Sequence, residues 1–408
     1  MVYATFAWRY FKAKKSANAI NIIAWVTVGV IAFATTCQIL VLSVFNGFED
    51  LVKSLYSSFY ADIKIIPVKG KTFRLTAKQL QSLHTQPGIA AVSLIAEEKA
   101  LLQNEDLQTS VYLKGVDENY TVVSAVSDKI ISGKFDIGTT EDPGLIVGSG
   151  IQNAAAVNVD ESFAASDLTL ILPRKGKVSV ADPLQSLSEG KVKATGVFAI
   201  QQDFDNKYAI TNIGFVKQQM GFMADEYSSA EIKLNEVNLL GKIQLQLASL
   251  LGPDFIVQTK YQQNTSLYDT MKMEKWVIYA VLTLILFIAA FNMISALTML
   301  VLEKQKDISI LQSMGADKNM IMKIFLSEGL LLGGIGAVTG IIMALAVCFL
   351  QLKYKLVKLQ GGSFLIDYFP VKLQAADFML VASTVALIAF LASWFPARKA
   401  SGQFIELR

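Results

Sequence analysis

Histidine and cysteine are almost missing from this chain: His84 is the single histidine, and Cys37 and Cys348 are the two cysteines in 408 residues. Both cysteines lie inside long apolar runs, where a thiol serves as a small buried hydrophobe rather than a disulfide partner. One histidine in a polar stretch, with no thiolate beside it, supports neither a structural metal site nor a hydrolytic triad. Charge is scarce too, at 17% of residues against about a quarter in soluble domains. The net charge of +3, without any Lys/Arg block interleaved with aromatics, excludes a nucleic-acid partner.

Apolar residues take that place, at 53% of the chain, and they concentrate in a few uncharged runs. Met1 to Lys15 comes first, with Phe6, Trp8, Tyr10 and Phe11 alternating with Arg9, Lys12, Lys14 and Lys15. It reads either as an amphipathic helix in the headgroup region or as the positive flank of the first span. Ile20–Phe48 then carries no charge, and about 20 helical residues cross a bilayer core of ~30 Å. The run is too long for a signal-peptide core and no small-x-small cleavage site follows it, so it is expected to be retained. Three further spans are Trp276–Leu302, Ile324–Leu350 and Phe378–Phe395, and the acid Glu328 alone interrupts them.

Four spans put both termini on one side, and the basic cluster at Arg9–Lys15 with Arg398 and Lys399 assigns that side to the cytoplasm. Lys353, Lys355, Lys358 and Lys372, in the loop between spans three and four, run against that asymmetry.

The expected layout is a membrane protein with four transmembrane α-helices and a large α+β periplasmic domain inserted between helices 1 and 2. An N-terminal segment (1–19) precedes span one (20–48), and the external domain occupies 49–275. Span two (276–302), a cytoplasmic loop (303–323), span three (324–350), a short external loop (351–377), span four (378–395) and a tail (396–408) complete it. Within the domain, Asp62–Pro67, Val92–Leu102, Thr109–Gly115, Ala230–Leu234 and Phe255–Tyr261 read as strands. Thr76–His84, with Thr76 as N-cap, and Val237–Leu251 read as helices. The two ends thus share a strand–helix–strand pattern, which predicts one discontinuous lobe (49–115 and 226–275) with a smaller lobe (116–225) inserted.

Two apparent nucleotide motifs fail. Gly70-Lys71-Thr72 resembles the tail of a phosphate-binding loop, but Ile65 stands where the motif needs its first glycine. Leu359-Gln360-Gly361-Gly362-Ser363 has only the letter content of an ATPase signature.

The informative stretch is Glu303 to Asp317 between spans two and three. Ile308, Leu311 and Met314 share one face of a short helix, Gly315 suits a left-handed terminus, and Asp317 suits the N-cap of the next helix. Such a helix is built either to press on a soluble cytoplasmic partner or to lie in the lipid interface. Span three carries Gly329-x-x-x-Gly333 and Gly336-x-x-x-Gly340, a spacing that lets helices approach closely, within one chain or across a dimer seam. Gln38 and Asn292, inside spans one and two, need polar partners there, either interhelical hydrogen bonds or a transported solute.

Leu42-Ser43-Val44-Phe45-Asn46-Gly47-Phe48-Glu49 and Phe6-Ala7-Trp8-Arg9-Tyr10 resemble the lipoprotein-releasing permeases of Gram-negative bacteria. Glu303 to Glu328-Gly329, with Met314-Gly315-Ala316, and Pro396-Ala397-Arg398-Lys399-Ala400 resemble the wider superfamily that includes the cell-division permease and the macrolide exporter. The resemblance covers the whole chain in layout. The exporter's fused ATPase is missing and the external domain is larger than the cell-division permease's, so the lipoprotein-releasing branch fits best.

The resemblance implies a non-catalytic ABC transporter permease in the bacterial inner membrane, paired with a second permease subunit of the same or a homologous chain. A separate ATPase dimer would bind ATP and magnesium, so no cofactor is expected on this chain. Glu303, Ile308, Leu311, Met314 and Gly315 would form the coupling helix that docks on it. A lipoprotein's acyl chains would enter a cavity with Leu40, Val41, Val44, Phe45 and Phe48 of span one facing Trp276, Tyr279, Ala280 and Thr283 of span two. A periplasmic lipoprotein carrier would meet the loop from Pro173 to Val192, with Arg174, Lys175 and Lys177. The competing expectation is a mechanotransmission permease that moves no substrate and drives an external partner. A membrane-anchored sensor or adhesin would leave the Glu303–Asp317 helix unexplained.

Overall fold

The computed structural model describes residues 18–159, 167–175, 186–359 and 368–402. The N-terminal aromatic-basic segment, Lys177 and the last six residues lie outside them. The described residues form two compact units: one within 52–268, and one made of 18–51, 269–359 and 368–402.

The first of these is an α/β unit. Its strands are β1 (Ile63–Pro67), β2 (Phe73–Arg74), β3 (Ile89–Asn104), β4 (Leu107–Val116), β5 (Ile130–Gly133), β6 (Gly144–Gly148), β7 (Asp167–Pro173), β8 (Leu187–Phe198), β9 (Tyr208–Asn212), β10 (Glu226–Tyr227), β11 (Ser229–Leu234) and β12 (Phe255–Thr259). The main helices are α1 (Ala77–Thr85), α2 (Ile213–Met220) and α3 (Leu240–Leu251). One ten-stranded sheet runs β12-β1-β11-β3-β4-β9-β6-β8-β5, with β7 paired to β3 and β8, while β2 and β10 pair separately. Its pairs are antiparallel except β4–β9 and β6–β8.

Local chemistry sets several boundaries. Thr76 caps α1 in a full capping box with Gln79. Thr259 closes β12 and opens the next helical turn by the same device with Gln262. That turn ends the strand two residues before Tyr261.

Two cores share the sheet. One gathers Ile63, Ile65, Val92 and Ile232 under Leu83 of α1 and Ile243 and Leu247 of α3. The other gathers Leu102, Leu113, Val147, Leu170 and Val197 under Phe215 of α2. The boundary between them falls inside β3: Val92 belongs to the first core, and Ala96, Ala100 and Leu102 to the second. At ~3.3 Å per residue, the 16 residues of β3 are too long for one core, so β3 serves both, while Val111 and Leu113 of β4 join the second.

Four helices among the described residues are long and apolar enough to cross a membrane. Span one is Asn18–Phe59, span two Thr265–Glu303, span three Lys318–Tyr354 and span four Ala375–Ser401. All exceed the uncharged runs, because intrahelical hydrogen bonding does not stop where hydrocarbon does. The 42 residues of span one would reach about 63 Å, twice a bilayer core. Their shared core packs Ile31, Ile39 and Leu42 against Met293 and Leu297, Leu332, and Val381 and Val385.

The four glycines of span three sit in that packing. A Cβ on Gly329 or Gly333 would meet Ser393 or Ala389 of span four. On Gly336 or Gly340 it would meet Ile31, or Ala32 and Thr35, of span one. Both small-residue faces are therefore turned to helices of the same chain.

Candidate functional site

The short helix α4 (Gln305–Ser313) joins spans two and three. Gly315, at φ +95°, makes the break that only glycine adopts freely. The Asp317 carboxylate then caps span three by accepting from the Met320 amide at 2.8 Å. Lys304 and Asp307 pair at 3.1 Å across the first turn.

Ile308 is 3% exposed and packs with Leu300 and Val301 of span two, Ile321 and Phe325 of span three, and Ala397 and Ala400 of span four. It was expected on the docking face; instead it anchors the helix to the spans. Leu311 is half-buried, Glu303 is half-buried at the end of span two, and Gly315 is exposed. Ile310 at 59% and Met314 at 79% exposure form the outward apolar pair. At 3.6 residues per turn they stand about 40° apart and more than ~100° from Ile308. Sequence periodicity missed Ile310; its signal was an isoleucine on an otherwise polar face.

A polar node ties the spans together at the far end of span one. Asn46, buried, donates through Nδ2 to Asp377 of span four and accepts through Oδ1 from the Lys275 ammonium of span two at 2.8 Å. Lys275 also pairs with Asp377 at 3.2 Å. Gly47 lies so close to the Pro370 carbonyl that a Cβ would collide with backbone. The next amides follow suit, with Lys372 N donating to the Ser43 carbonyl at 2.9 Å and the Lys372 ammonium paired with Asp50. The Asn46-Gly47 pair therefore has a structural reason: one crosslinks three spans and the other admits an extended segment. Sequence reasoning did not single out Lys275 or Asp377, whose signal was three polar residues at matching depth on different spans.

Of the residues expected to face each other across spans one and two, Leu40 and Tyr279 pack against the same core of the membrane unit. Leu40, Val41 and Val44 also line a cavity of about 520 Å³ with Val347, Cys348 and Leu350 of span three. Phe48 meets Phe369 edge to face at 5.7 Å, and Phe45 is half-buried. Tyr279 hydrogen-bonds Thr384 of span four, while Thr283 accepts from Gln38 Nε2 at 3.1 Å. Trp276 and Ala280 are exposed, as is Asn292.

In the α/β unit, Pro173 ends β7, and Arg174 N donates to the Ser186 carbonyl at 2.7 Å. Lys175, expected in the carrier-binding loop, pairs with the buried Glu226, and its amide donates to Met220 O at 2.9 Å. Burial pushes the Glu226 carboxyl upward, but hydrogen bonds from Lys175, Thr72 and the Met223 amide outweigh it and hold the group below its ordinary range. Lys175 thus fastens the base of the loop. His84 is exposed, and no cluster of metal-ligating side chains occurs among the described residues.

The profile described as FtsX-like permease C-terminal matches residues 279–403, spans two to four with α4. The lipoprotein-releasing system transmembrane protein LolC of Neisseria meningitidis is 28% identical over 410 residues, covering 96% of this chain and 95% of that protein. LolC of Xylella fastidiosa is 24% identical over 404 residues. LolE of Haemophilus influenzae is 26% identical over 411 residues, covering 97% and 96%. The periplasmic region of MacB from Actinobacillus actinomycetemcomitans matches at a TM-score of 0.36 with 14% identity, over 54% of this chain and 98% of that one.

The chain is a membrane permease with an FtsX-like C-terminal domain. Over nearly its full length it is similar to the transmembrane proteins of lipoprotein-releasing systems.

Proposed function

We propose that this chain is the non-catalytic permease subunit of an ABC transporter that extracts lipoproteins from the outer leaflet of the inner membrane and passes them towards a periplasmic carrier. The observation that carries this reading is similarity over 96–97% of the chain to relatives named for lipoprotein release. The termini and α4 lie in the cytoplasm and the α/β unit in the periplasm. A separate ATPase dimer binds ATP and magnesium, and a second permease subunit, the same or a homologous chain, completes the membrane part.

In this reading α4 works as a rigid peg. Ile308 locks it to spans two, three and four, and Ile310 and Met314 enter an apolar socket on the ATPase. Closure of the ATPase then moves α4 and the spans fixed to it as one body. The exposed face of span two, with Trp276 and Ala280, lines the path of the acyl chains together with the second subunit.

Two substitutions test the reading. Ile310→Asp with Met314→Asp places carboxylates in the socket at several kcal/mol, and is expected to abolish co-purification with the ATPase while the permease stays folded. Ala280→Asp is expected to abolish ATP-driven release of acylated lipoprotein from proteoliposomes while leaving ATPase association intact. Full release by both variants would overturn the proposal, and release lost without capture of acylated lipoprotein by a photocrosslinker at residue 280 would favour mechanotransmission.

A further inference from the structure

Three lysines remain unexplained by extraction and oppose the charge asymmetry of the other loops. Lys353, Lys355 and Lys358 fall within six residues at the end of span three, and all are exposed. Among the described residues none forms an ion pair with a carboxylate; Lys353 and Lys355 instead lie over the rings of Tyr354 and Tyr368, at 5.4 and 4.1 Å. Between residues 351 and 371 the sequence holds one acid, Asp367, against these three cations.

The same stretch walls the apolar cavity. Span three stops at Lys355, in the left-handed region at φ +50°, and the chain doubles back so that Leu356 and Val357 face Phe369 and Val371 over the cavity. Gln351 pins this flap: its Nε2 donates to the carbonyls of Val357 and Phe369, each at 3.1 Å, and its Oε1 accepts from the Val357 amide at 2.9 Å. Gln351 is also the single amide or charged side chain among the described lining residues, and both its ends are committed. The wall therefore offers hydrocarbon contact and asks for no polar partner. Its 520 Å³ equals about seventeen waters at ~30 Å³ each, far too little for three acyl chains together.

We propose that this cavity between spans one and three holds one acyl chain of an anionic phospholipid, with the headgroup phosphate on Lys353, Lys355 and Lys358. A hydrophobic slot beside a net-positive rim selects an amphiphile with an anionic head, which distinguishes a membrane phospholipid from the acylated cysteine of a lipoprotein, whose linkage carries no phosphate. The lipid wedges the flap against span one, beside the segment that Gly47 admits.

Native mass spectrometry of the full-length protein, purified in mild detergent and titrated with palmitoyl-oleoyl phosphatidylglycerol or phosphatidylcholine, tests this. One retained phosphatidylglycerol is expected, preferred over phosphatidylcholine by about fivefold for each lysine engaged. Val347→Trp and Leu356→Trp fill the slot from exposed positions that do not disturb the fold, and either is expected to lower retention of both lipids roughly tenfold. Lys353→Gln, Lys355→Gln and Lys358→Gln together should lower phosphatidylglycerol retention to the phosphatidylcholine level, erasing the headgroup preference, and leave phosphatidylcholine retention unchanged. Equal binding of the two lipids by the wild type, or undiminished retention in both tryptophan variants, would overturn the site. So would capture of lipoprotein instead of phospholipid by a photocrosslinker at residue 347. The release assay with Ala280→Asp reads a different face, so failure here leaves the extraction role standing.

Discussion

Lys114 shows how one buried charge is made tolerable in the α/β unit. Its ammonium reaches both Glu231 oxygens at 2.8 and 2.9 Å and the Tyr120 hydroxyl at 3.2 Å, and lies over the Phe59 and Tyr120 rings. Burial opposes the charge, but the Glu231 carboxylate, with Tyr120 and Glu97, outweighs it and raises the ammonium's pKa above the ordinary lysine range. A folded-state value above the unfolded one means that this stabilisation is fully present below about pH 10 and is lost only at stronger alkali. Glu231→Gln should therefore destabilise the protein by about 3–5 kcal/mol, equally at about pH 6 and about pH 9, because the cation is left buried without its partner. Replacing the pair together, Lys114→Met with Glu231→Leu, should fall within ~1 kcal/mol of the parent or exceed it. Thermal unfolding of the full chain in detergent measures both, and a Glu231→Gln protein as stable as the parent would show that the pair contributes nothing.

Span three is the element on which the membrane unit is assembled, and its glycines are not equivalent. Gly340 faces the Ala32 carbonyl and the Thr35 Cβ, the latter at 2.7 Å from where its own Cβ would stand. Gly334, two residues before Gly336, has open space around that position. Gly340→Ala must push span one aside and should cost about 1–3 kcal/mol. Gly334→Ala removes only backbone freedom from a helix and should stabilise it by roughly 0.5–1 kcal/mol. The midpoint of thermal aggregation in detergent separates the two. Equal effects would mean that spans one and three are not packed through Gly340. The glycine spacing alone announced close approach; the identity of the approaching helix came from the packing.

Across the whole molecule, the proposed function requires the α/β unit and α4 to lie on opposite sides of the membrane. In a background with Cys37→Ala and Cys348→Ala, Val122→Cys, on an exposed site of the α/β unit, should react with an impermeant maleimide in spheroplasts. Met314→Cys should react only after permeabilisation. Labelling in the opposite order would invert the orientation and remove the ATPase from its proposed contact with α4.

Local rules determined a good deal of this protein from the sequence alone. The Thr76–Gln79 capping box, the Gly315 break and the Asp317 cap each act over three or four residues. Four long apolar runs, with Glu328 their one charge, announce four membrane helices because hydrocarbon tolerates little else. Tertiary structure decided what periodicity cannot contain. An apolar face on α4 does not say whether spans or a partner covers it, and only packing turned Ile308 inward and left Ile310 and Met314 outside. Inside a bilayer every face of a helix is apolar, so nothing in Leu40, Val41 and Val44 indicates that they line a cavity with span three. The Asn46–Lys275–Asp377 node joins residues up to 331 positions apart, and chain connectivity at that distance constrains no contact until the helices have packed.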